Sequence, residues 1–167
     1  MRIFITAVLV LFAFVFQTSL LDVIQIGNIR PNLVVMVIIQ IALLRGYYEG
    51  GIVGLCAGIV MDIMTGRIFG AFALLCMLIG LLSGGFHHRI FKENFLSAMM
   101  FTFVFINVYE VLFYIFQYFV WGQHQFSYAF MQYVLPTAIY STVISAPIYM
   151  LLYRINEWLL ARENDYF

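Results

Sequence analysis

The chain has 167 residues, of which 65% are hydrophobic and only 10% carry a charge. Its mean hydropathy of +1.01 lies far above the range of a water-soluble domain, so a soluble globule is excluded. Eight Lys and Arg residues balance eight Asp and Glu residues, which leaves no basic excess to attract nucleic acid. Lipid and other membrane helices are therefore the expected partners of its surface.

Apolar segments follow one another along the chain and predict about six transmembrane helices in one all-α bundle. A hydrocarbon core about 30 Å thick takes about 20 residues per helix, so six spans leave too few residues for an extramembrane domain. The second and third segments are short, and five full spans remain an alternative. No linker or repeat divides the chain, which predicts a single membrane domain over residues 1–167. The segments cover residues 3–21, 31–45, 49–64, 68–86, 95–121 and 132–153.

The first segment resembles a signal peptide, but no small-residue cleavage pattern follows it, and we interpret it as the first transmembrane helix. Cytoplasmic loops retain Lys and Arg, and six spans with a cytoplasmic amino terminus place most of the cations inside. Both termini are therefore expected to be cytoplasmic. The inner set is Arg2, Arg45, Arg89, Lys92, Arg154 and Arg162, and the outer set is Arg30 and Arg67.

A four-residue stride of small residues runs along the third segment into the fourth. Residues four apart on a helix share a face, and glycine there lets a second backbone approach closely in lipid. The stride predicts a helix-packing surface, used inside the bundle or by a partner, with internal packing favoured. Asp62 is expected to pair with Arg67 or loop amides, or to form a structural hinge. The stride consists of Gly50, Gly54, Gly58, Asp62, Gly66 and Gly70.

Glu110 lies near the middle of the fifth segment, where an acidic side chain costs about 3 kcal/mol to insert. Asn107, Glu110, Tyr114 and Gln117 share one helix face, which is expected to look into the bundle or toward a partner helix. Structural hydrogen bonding is favoured over proton transport, because no chain of relay groups accompanies the carboxyl. The eleven aromatic residues of this segment predict a lipid-facing or interhelical surface.

The spans supply too few reactive groups for catalysis. Asp62 is the only aspartate in any span, whereas an intramembrane aspartyl protease needs two. His87 and His88 lie in a basic loop, and the sequence contains no P-loop, dinucleotide fingerprint or metal-ligand cluster. Cys56 and Cys76 lie in apolar runs, where a thiol behaves as a small hydrophobe. We therefore expect neither enzymatic activity nor a cofactor.

Two further groups of residues flank the second segment. Arg30, Pro31 and Asn32 open it, and Arg45 and Gly46 close it before the glycine stride begins. Taken together over about residues 17–85, this order resembles the family of the rod shape-determining protein MreD. That family commonly has Arg-Pro-Asp before the second span, so Asn32 departs from the pattern by keeping an oxygen acceptor and losing the charge.

The resemblance implies a non-catalytic scaffold in the bacterial cell membrane. Such a protein would bind the bitopic protein MreC and sit with the glycan polymerase RodA and its partner transpeptidase. It would act indirectly with the actin-like protein MreB in lateral peptidoglycan synthesis and rod shape. These roles are expectations by analogy with the family, and the oligomeric state stays open.

An alternative function is the substrate-binding S component of an energy-coupling-factor vitamin transporter, whose fold of six short helices is similar. Such a component needs polar groups that converge near the outer face. Asp62, Arg67, Asn32 and Gln40 are the candidates for that pocket. The short loops 22–30 and 65–67 argue against a closing lid, which favours the scaffold.

Overall fold

The computed structural model describes residues 2–19, 32–65, 70–89, 95–121 and 135–164. These residues form α-helices and one short 3-10 turn, which confirms the predicted all-helical fold for the described part of the chain. The last helix extends well beyond residue 153, because its polar end remains helical after the apolar segment stops. The helices are α1 (Arg2–Ser19), α2 (Leu33–Arg45), α3 (Tyr47–Thr65), α4 (Ala71–Gly85), α5 (Phe95–Trp121) and α6 (Leu135–Asn164), with the 3-10 turn at His87–Arg89.

Three helices in the described ranges are long and apolar enough to cross a membrane. They are α3, the stretch Leu96–Phe116 of α5 and the stretch Pro136–Trp158 of α6. The other helices are apolar but shorter, and α2 has only 13 residues. At about 1.5 Å per residue, α2 extends about 20 Å against a hydrocarbon core of about 30 Å. The topology of six full spans with cytoplasmic termini stays a prediction.

The short helix α2 forms the centre of the bundle. All of its residues from Leu33 to Leu44 are buried. It packs against each of the other five helices. A helix that is apolar all round has no face to present to water, and here its neighbours enclose it. Its one internal polar side chain, Gln40, donates a hydrogen bond to the Ser145 carbonyl of α6 at 2.9 Å.

The amino end of α2 is satisfied by its own cap residue and by a side chain of a neighbouring helix. The Asn32 side chain accepts a hydrogen bond from the Val35 amide at 3.4 Å, and Gln17 of α1 accepts one from the Val34 amide at 2.9 Å. The backbone amide of Asn32 in turn donates a hydrogen bond to the Ser141 hydroxyl of α6 at 3.3 Å. This end of the bundle therefore joins the end of α1 to the starts of α2 and α6.

The carboxyl end of α2 is held at the opposite end of the bundle. Arg45 donates from Nη1 to the Thr6 hydroxyl at 2.6 Å and from Nε to the Asn156 side-chain oxygen at 3.2 Å. His87 lies 2.8 Å from the Leu43 carbonyl through Nδ1, which must donate because a carbonyl only accepts. The start of α1, the end of α2 and the later part of α6 therefore meet here, so α2 and α6 run in the same direction and α1 runs opposite to both.

Large apolar side chains cover much of the outer surface of the described helices. Phe12 of α1 is 58% exposed, Ile63 of α3 is 64% exposed and Met100 of α5 is 65% exposed. In water, so much exposed apolar surface would cause association, whereas in a bilayer it is the ordinary lipid-facing side. The exposure pattern is thus that of a membrane bundle.

Gly46 connects α2 to α3 with φ at +101°, a conformation that L residues with a side chain rarely adopt. We predict that Gly46→Ala lowers the midpoint of thermal unfolding in detergent, because the strained backbone costs about 1–3 kcal/mol. Gly85→Ala is the matched control, since a Cβ at this α-helical glycine would meet nothing within 4 Å. Equal midpoints for the two variants would contradict the prediction.

Candidate functional site

The glycines of α3 pack directly on the backbone of α4. A Cβ built on Gly54 would collide with the Cys76 carbonyl group, and one built on Gly58 would lie 2.6 Å from the Phe72 carbonyl oxygen. Both glycines are buried. The colliding atoms belong to the backbone, which has little freedom to move. The two helices are therefore in backbone contact, at a separation that only glycine permits.

Glycines of α4 complete this contact from the other side. A Cβ on Gly50 of α3 would lie 2.7 Å from the Gly80 carbonyl oxygen, and one on Gly84 would lie 2.6 Å from the Tyr47 Cα atom. Close approach of this kind favours helix association in lipid, where dispersion contacts replace the hydrophobic effect. In the described structure, α4 covers the small-residue surface of Gly50, Gly54 and Gly58.

Asp62 continues the same face of α3 by one turn and is only 3% exposed. Its two carboxylate oxygens accept hydrogen bonds from the amides of Phe72 and Ala73, at 3.1 and 2.9 Å. These amides belong to the first turn of α4, which lacks helical acceptors and carries a partial positive charge. Asp62 therefore caps the neighbouring helix through charge-assisted hydrogen bonds.

The end of the predicted stride differs from its beginning. Gly70 immediately precedes α4 with φ at +98°, and a Cβ built on it would meet no atom within 4 Å. Gly70 therefore provides an unusual backbone conformation and takes no part in the close contact between helices. The stride predicted from the sequence does not continue on one helix, because α3 ends at Thr65 and α4 begins at Ala71. Gly66 and Arg67 lie outside the described residues.

Arg45, from the family resemblance, has a side chain that is only 8% exposed. Besides Thr6 and Asn156, it contacts the Glu49 carboxylate of α3 at 3.5 Å. A buried guanidinium needs acceptors in several directions, and three different helices supply them here. Arg45 therefore fastens α1, α3 and α6 around the end of α2, and Gly46 provides the turn that lets α3 begin at once.

Asn32 is the residue at which the sequence departs from the family pattern. It is the amino-terminal cap of α2, and its side-chain oxygen performs that role. The cap needs an acceptor rather than a charge, so the replacement of the family's usual aspartate leaves it intact. Arg30 and Pro31 lie outside the described residues.

Glu110 is half-buried on α5 and belongs to a second polar group. The Asn32 side chain is close enough to interact with both the Glu110 carboxyl and the Tyr109 hydroxyl. Tyr109 is only 1% exposed, and its hydroxyl makes no well-formed hydrogen bond to another described residue. On the same face, Asn107 donates to the Phe103 carbonyl of its own helix at 2.8 Å. The start of α2 and the middle of α5 thus share a partly satisfied polar group.

The residues suggested for a transporter pocket are engaged with backbone groups. Asp62 caps α4, Asn32 caps α2 and Gln40 donates to the Ser145 carbonyl. The Gln40 side-chain oxygen is buried and has no partner among the described residues. Arg67 lies outside those residues. The side chains of Asp62, Asn32 and Gln40 therefore stabilise the helices by hydrogen bonds to backbone groups.

The described side chains form no cluster suited to a metal ion. Within these ranges, no group of three or more His, Cys, Asp or Glu residues is arranged to hold a metal ion. Cys56 is exposed, whereas Cys76 is buried at the contact between α3 and α4.

Three residues of the site were missed by sequence reasoning. Thr6, Gln17 and Asn156 each accept a hydrogen bond from α2 or from its last side chain. The sequence did contain a signal for these residues, because a polar side chain in an apolar helix needs a hydrogen-bond partner inside the protein. The sequence did not show which residue the partner is, since Asn156 and Arg45 lie 111 residues apart.

A family model described as rod shape-determining protein MreD matches residues 1–157. The chain belongs to the MreD family. The match confirms the resemblance carried by residues 17–85 and extends it through most of α6. Comparisons with curated proteins and with solved structures find no match.

Membership of the MreD family makes this chain a rod-shape-determining membrane protein. The family is part of the shape-determining complex with MreC and MreB.

Gly58→Ala tests the backbone contact of α3 with α4. The added methyl group would meet the Phe72 carbonyl and the Ala73 backbone. We therefore predict that the free energy of unfolding falls by about 1–3 kcal/mol and that the thermal midpoint is clearly lower. Gly85→Ala again serves as the control. A midpoint for Gly58→Ala at or above the wild-type value would show that the two helices do not touch at this position.

Asp62→Ala removes both acceptors from the first turn of α4. We predict that it lowers the free energy of unfolding by about 2 kcal/mol. Asp62→Asn keeps one oxygen and should lose less. Hydrogen–deuterium exchange of the Phe72 and Ala73 amides gives the direct readout. We expect faster exchange in the alanine variant than in the asparagine variant, and unchanged exchange in both would refute the capping role.

Proposed function

We propose that this MreD-family protein is a non-catalytic membrane scaffold of the bacterial cell-elongation complex. It binds MreC, sits with the RodA polymerase and its transpeptidase, and acts with MreB indirectly to support lateral peptidoglycan synthesis. The observation that carries the proposal is the family match over residues 1–157. The described part of the chain consists almost entirely of apolar helices, which interact with other proteins through their lateral surfaces. Such a chain is suited to binding other membrane proteins.

The hydrogen bonds around Arg45 support the proposed orientation. They bring Arg45 to the same end of the bundle as Thr6 near the start of α1 and Asn156 late in α6. The exposed Arg154 lies within one turn of Asn156. A cation-rich end is retained in the cytoplasm, so we propose that this end faces the cytoplasm and that both termini lie there.

The hairpin of α3 and α4 has a supporting role in this proposal. Its glycine face is occupied by the contact between the two helices, and Asp62 fixes the start of α4. We propose that the hairpin presents its outer side chains, such as Ile52 and Leu78, to neighbouring membrane helices. These side chains are 63% and 42% exposed. Disruption of the glycine contact would then weaken partner binding through loss of the hairpin's shape.

The scaffold is tested by affinity purification of the tagged protein from its native membranes in mild detergent, with quantitative mass spectrometry against an untagged control. We predict enrichment of MreC, of RodA and of its transpeptidase. The double variant Gly54→Leu with Gly58→Leu should lose MreC recovery by about tenfold or more, or fail to accumulate, because leucine cannot fit against the α4 backbone.

Gly85→Leu is the matched control, because its added side chain points into open space on the same hairpin. It should recover MreC like the wild type. Normal recovery and normal rod shape with both Gly54 and Gly58 replaced would refute the role of the hairpin. Enrichment of paired ATPases with a coupling membrane subunit, in place of MreC, would overturn the scaffold in favour of a transporter component.

A further inference from the structure

Glu110 lies at the edge between the two sides of α5. The outer side of this helix carries Met100, Val104 and Ile115, which are 65%, 52% and 40% exposed. The inner side carries Tyr109, which is 1% exposed. Glu110 is half-buried between these sides, so its carboxyl belongs to the bundle on one flank and remains reachable from a neighbouring helix on the other.

This carboxyl is the only charged group in residues 95–121. Among the described residues, no cationic side chain pairs with it; the ion pair found there joins Arg45 to Glu49. Asn32 is its polar neighbour, and Asn32 has already committed its oxygen to the Val35 amide. One side-chain amide does not compensate an acidic group placed in a membrane helix.

The Tyr109 hydroxyl gives a second, independent sign of an incomplete site. It is buried beside Asn32, Glu110 and the weakly hydrogen-bonding Cys76 thiol, and it makes no well-formed hydrogen bond with any described residue. A buried hydroxyl without a partner is costly and rare in native structures. The unsatisfied hydroxyl and the uncompensated carboxyl lie on consecutive residues, next to one amide. Within the described ranges, the group lacks a hydrogen-bond donor that carries positive charge.

We propose that Glu110, Tyr109 and Asn32 form an intramembrane docking site for a partner transmembrane helix that carries an Arg or Lys side chain at the same depth. Such a side chain donates charge-assisted hydrogen bonds to the carboxyl, and an Arg fork has donors left for the tyrosine oxygen. The exposed apolar side chains of α5 would pack beside it. The proposal rests on the proposed function in that the partner is a membrane helix of the assembly.

The depth of Glu110 favours a helix over a lipid amine. The residue lies about 22 Å from Phe95 and about 16 Å from Trp121 along α5, at about 1.5 Å per residue. Lipid headgroup amines lie outside a hydrocarbon core about 30 Å thick and would have to descend into its interior to reach the carboxyl. A basic residue carried within a transmembrane helix is already at the required depth.

The test uses the full-length protein in phosphatidylcholine vesicles and two synthetic peptides. Each is a Trp-flanked Leu-Ala helix of about 24 residues, with either Arg or Leu at its centre. Association is measured by energy transfer between labelled protein and labelled peptide. We expect the Arg peptide to bind wild-type protein about tenfold more tightly than the Leu peptide, as suits a charge-assisted pair.

Glu110→Gln should reduce this preference to about twofold or less, because the uncharged amide keeps the shape and loses the charge. Tyr109→Phe should lower it by about threefold through loss of one oxygen. Glu157→Gln removes an exposed acidic group of α6 and should leave the preference unchanged. These variants separate the docking site from a general attraction between the basic peptide and acidic groups.

Equal binding of the two peptides by wild-type protein would overturn the proposal without reference to any variant. An unchanged preference in Glu110→Gln would do the same. Loss of the preference when phosphatidylethanolamine replaces phosphatidylcholine would assign the site to a lipid amine instead. None of these results touches the recovery of MreC from native membranes, so failure of this site and failure of the scaffold are distinguishable.

Discussion

The structure depends on one constraint: the short helix α2 lies inside a membrane bundle, and both of its polar ends must be satisfied by protein. Water reaches the ends of a full-length span, but an enclosed helix of about 20 Å ends within its neighbours. Asn32 and Gln17 bind its first amides, and His87 binds the Leu43 carbonyl near its last turn. These bonds fix the positions of the helices that supply them, so α2 organises the bundle from its centre.

The hairpin of α3 and α4 adds a second and different source of order. Around α2, helices are joined by specific polar bonds, whereas α3 and α4 are joined by backbone proximity that glycine alone allows. Asp62 combines the two modes, because it lies on the glycine face and also caps the start of α4. A rigid hairpin built in this way presents a defined apolar surface to lipid or to another protein.

These two arrangements have a consequence for function in the MreD family. The conspicuous polar and small residues of α2 and α3 are engaged inside the bundle, which makes them supports for binding surfaces. Glu110 differs, because the described part of the protein leaves its carboxyl uncompensated and half-buried. In the proposed scaffold, such a group at the edge of the bundle adds specificity, because it favours a partner helix that can pair with a polar side chain that lipid cannot satisfy.

The sequence by itself determined that this is a helical membrane protein, because apolar segments of near-span length leave no other fold available. It also determined the family, through Arg30, Pro31, Arg45, Gly46 and the glycine stride. Only the tertiary structure decided what those residues touch. The spacing of Gly54 and Gly58 showed that they share a helix face, but it did not show which helix packs against that face. The acceptors of Arg45 could not be identified either, because they lie on helices distant in sequence. Periodicity reports orientation within one helix, whereas partner choice depends on how separate helices pack together.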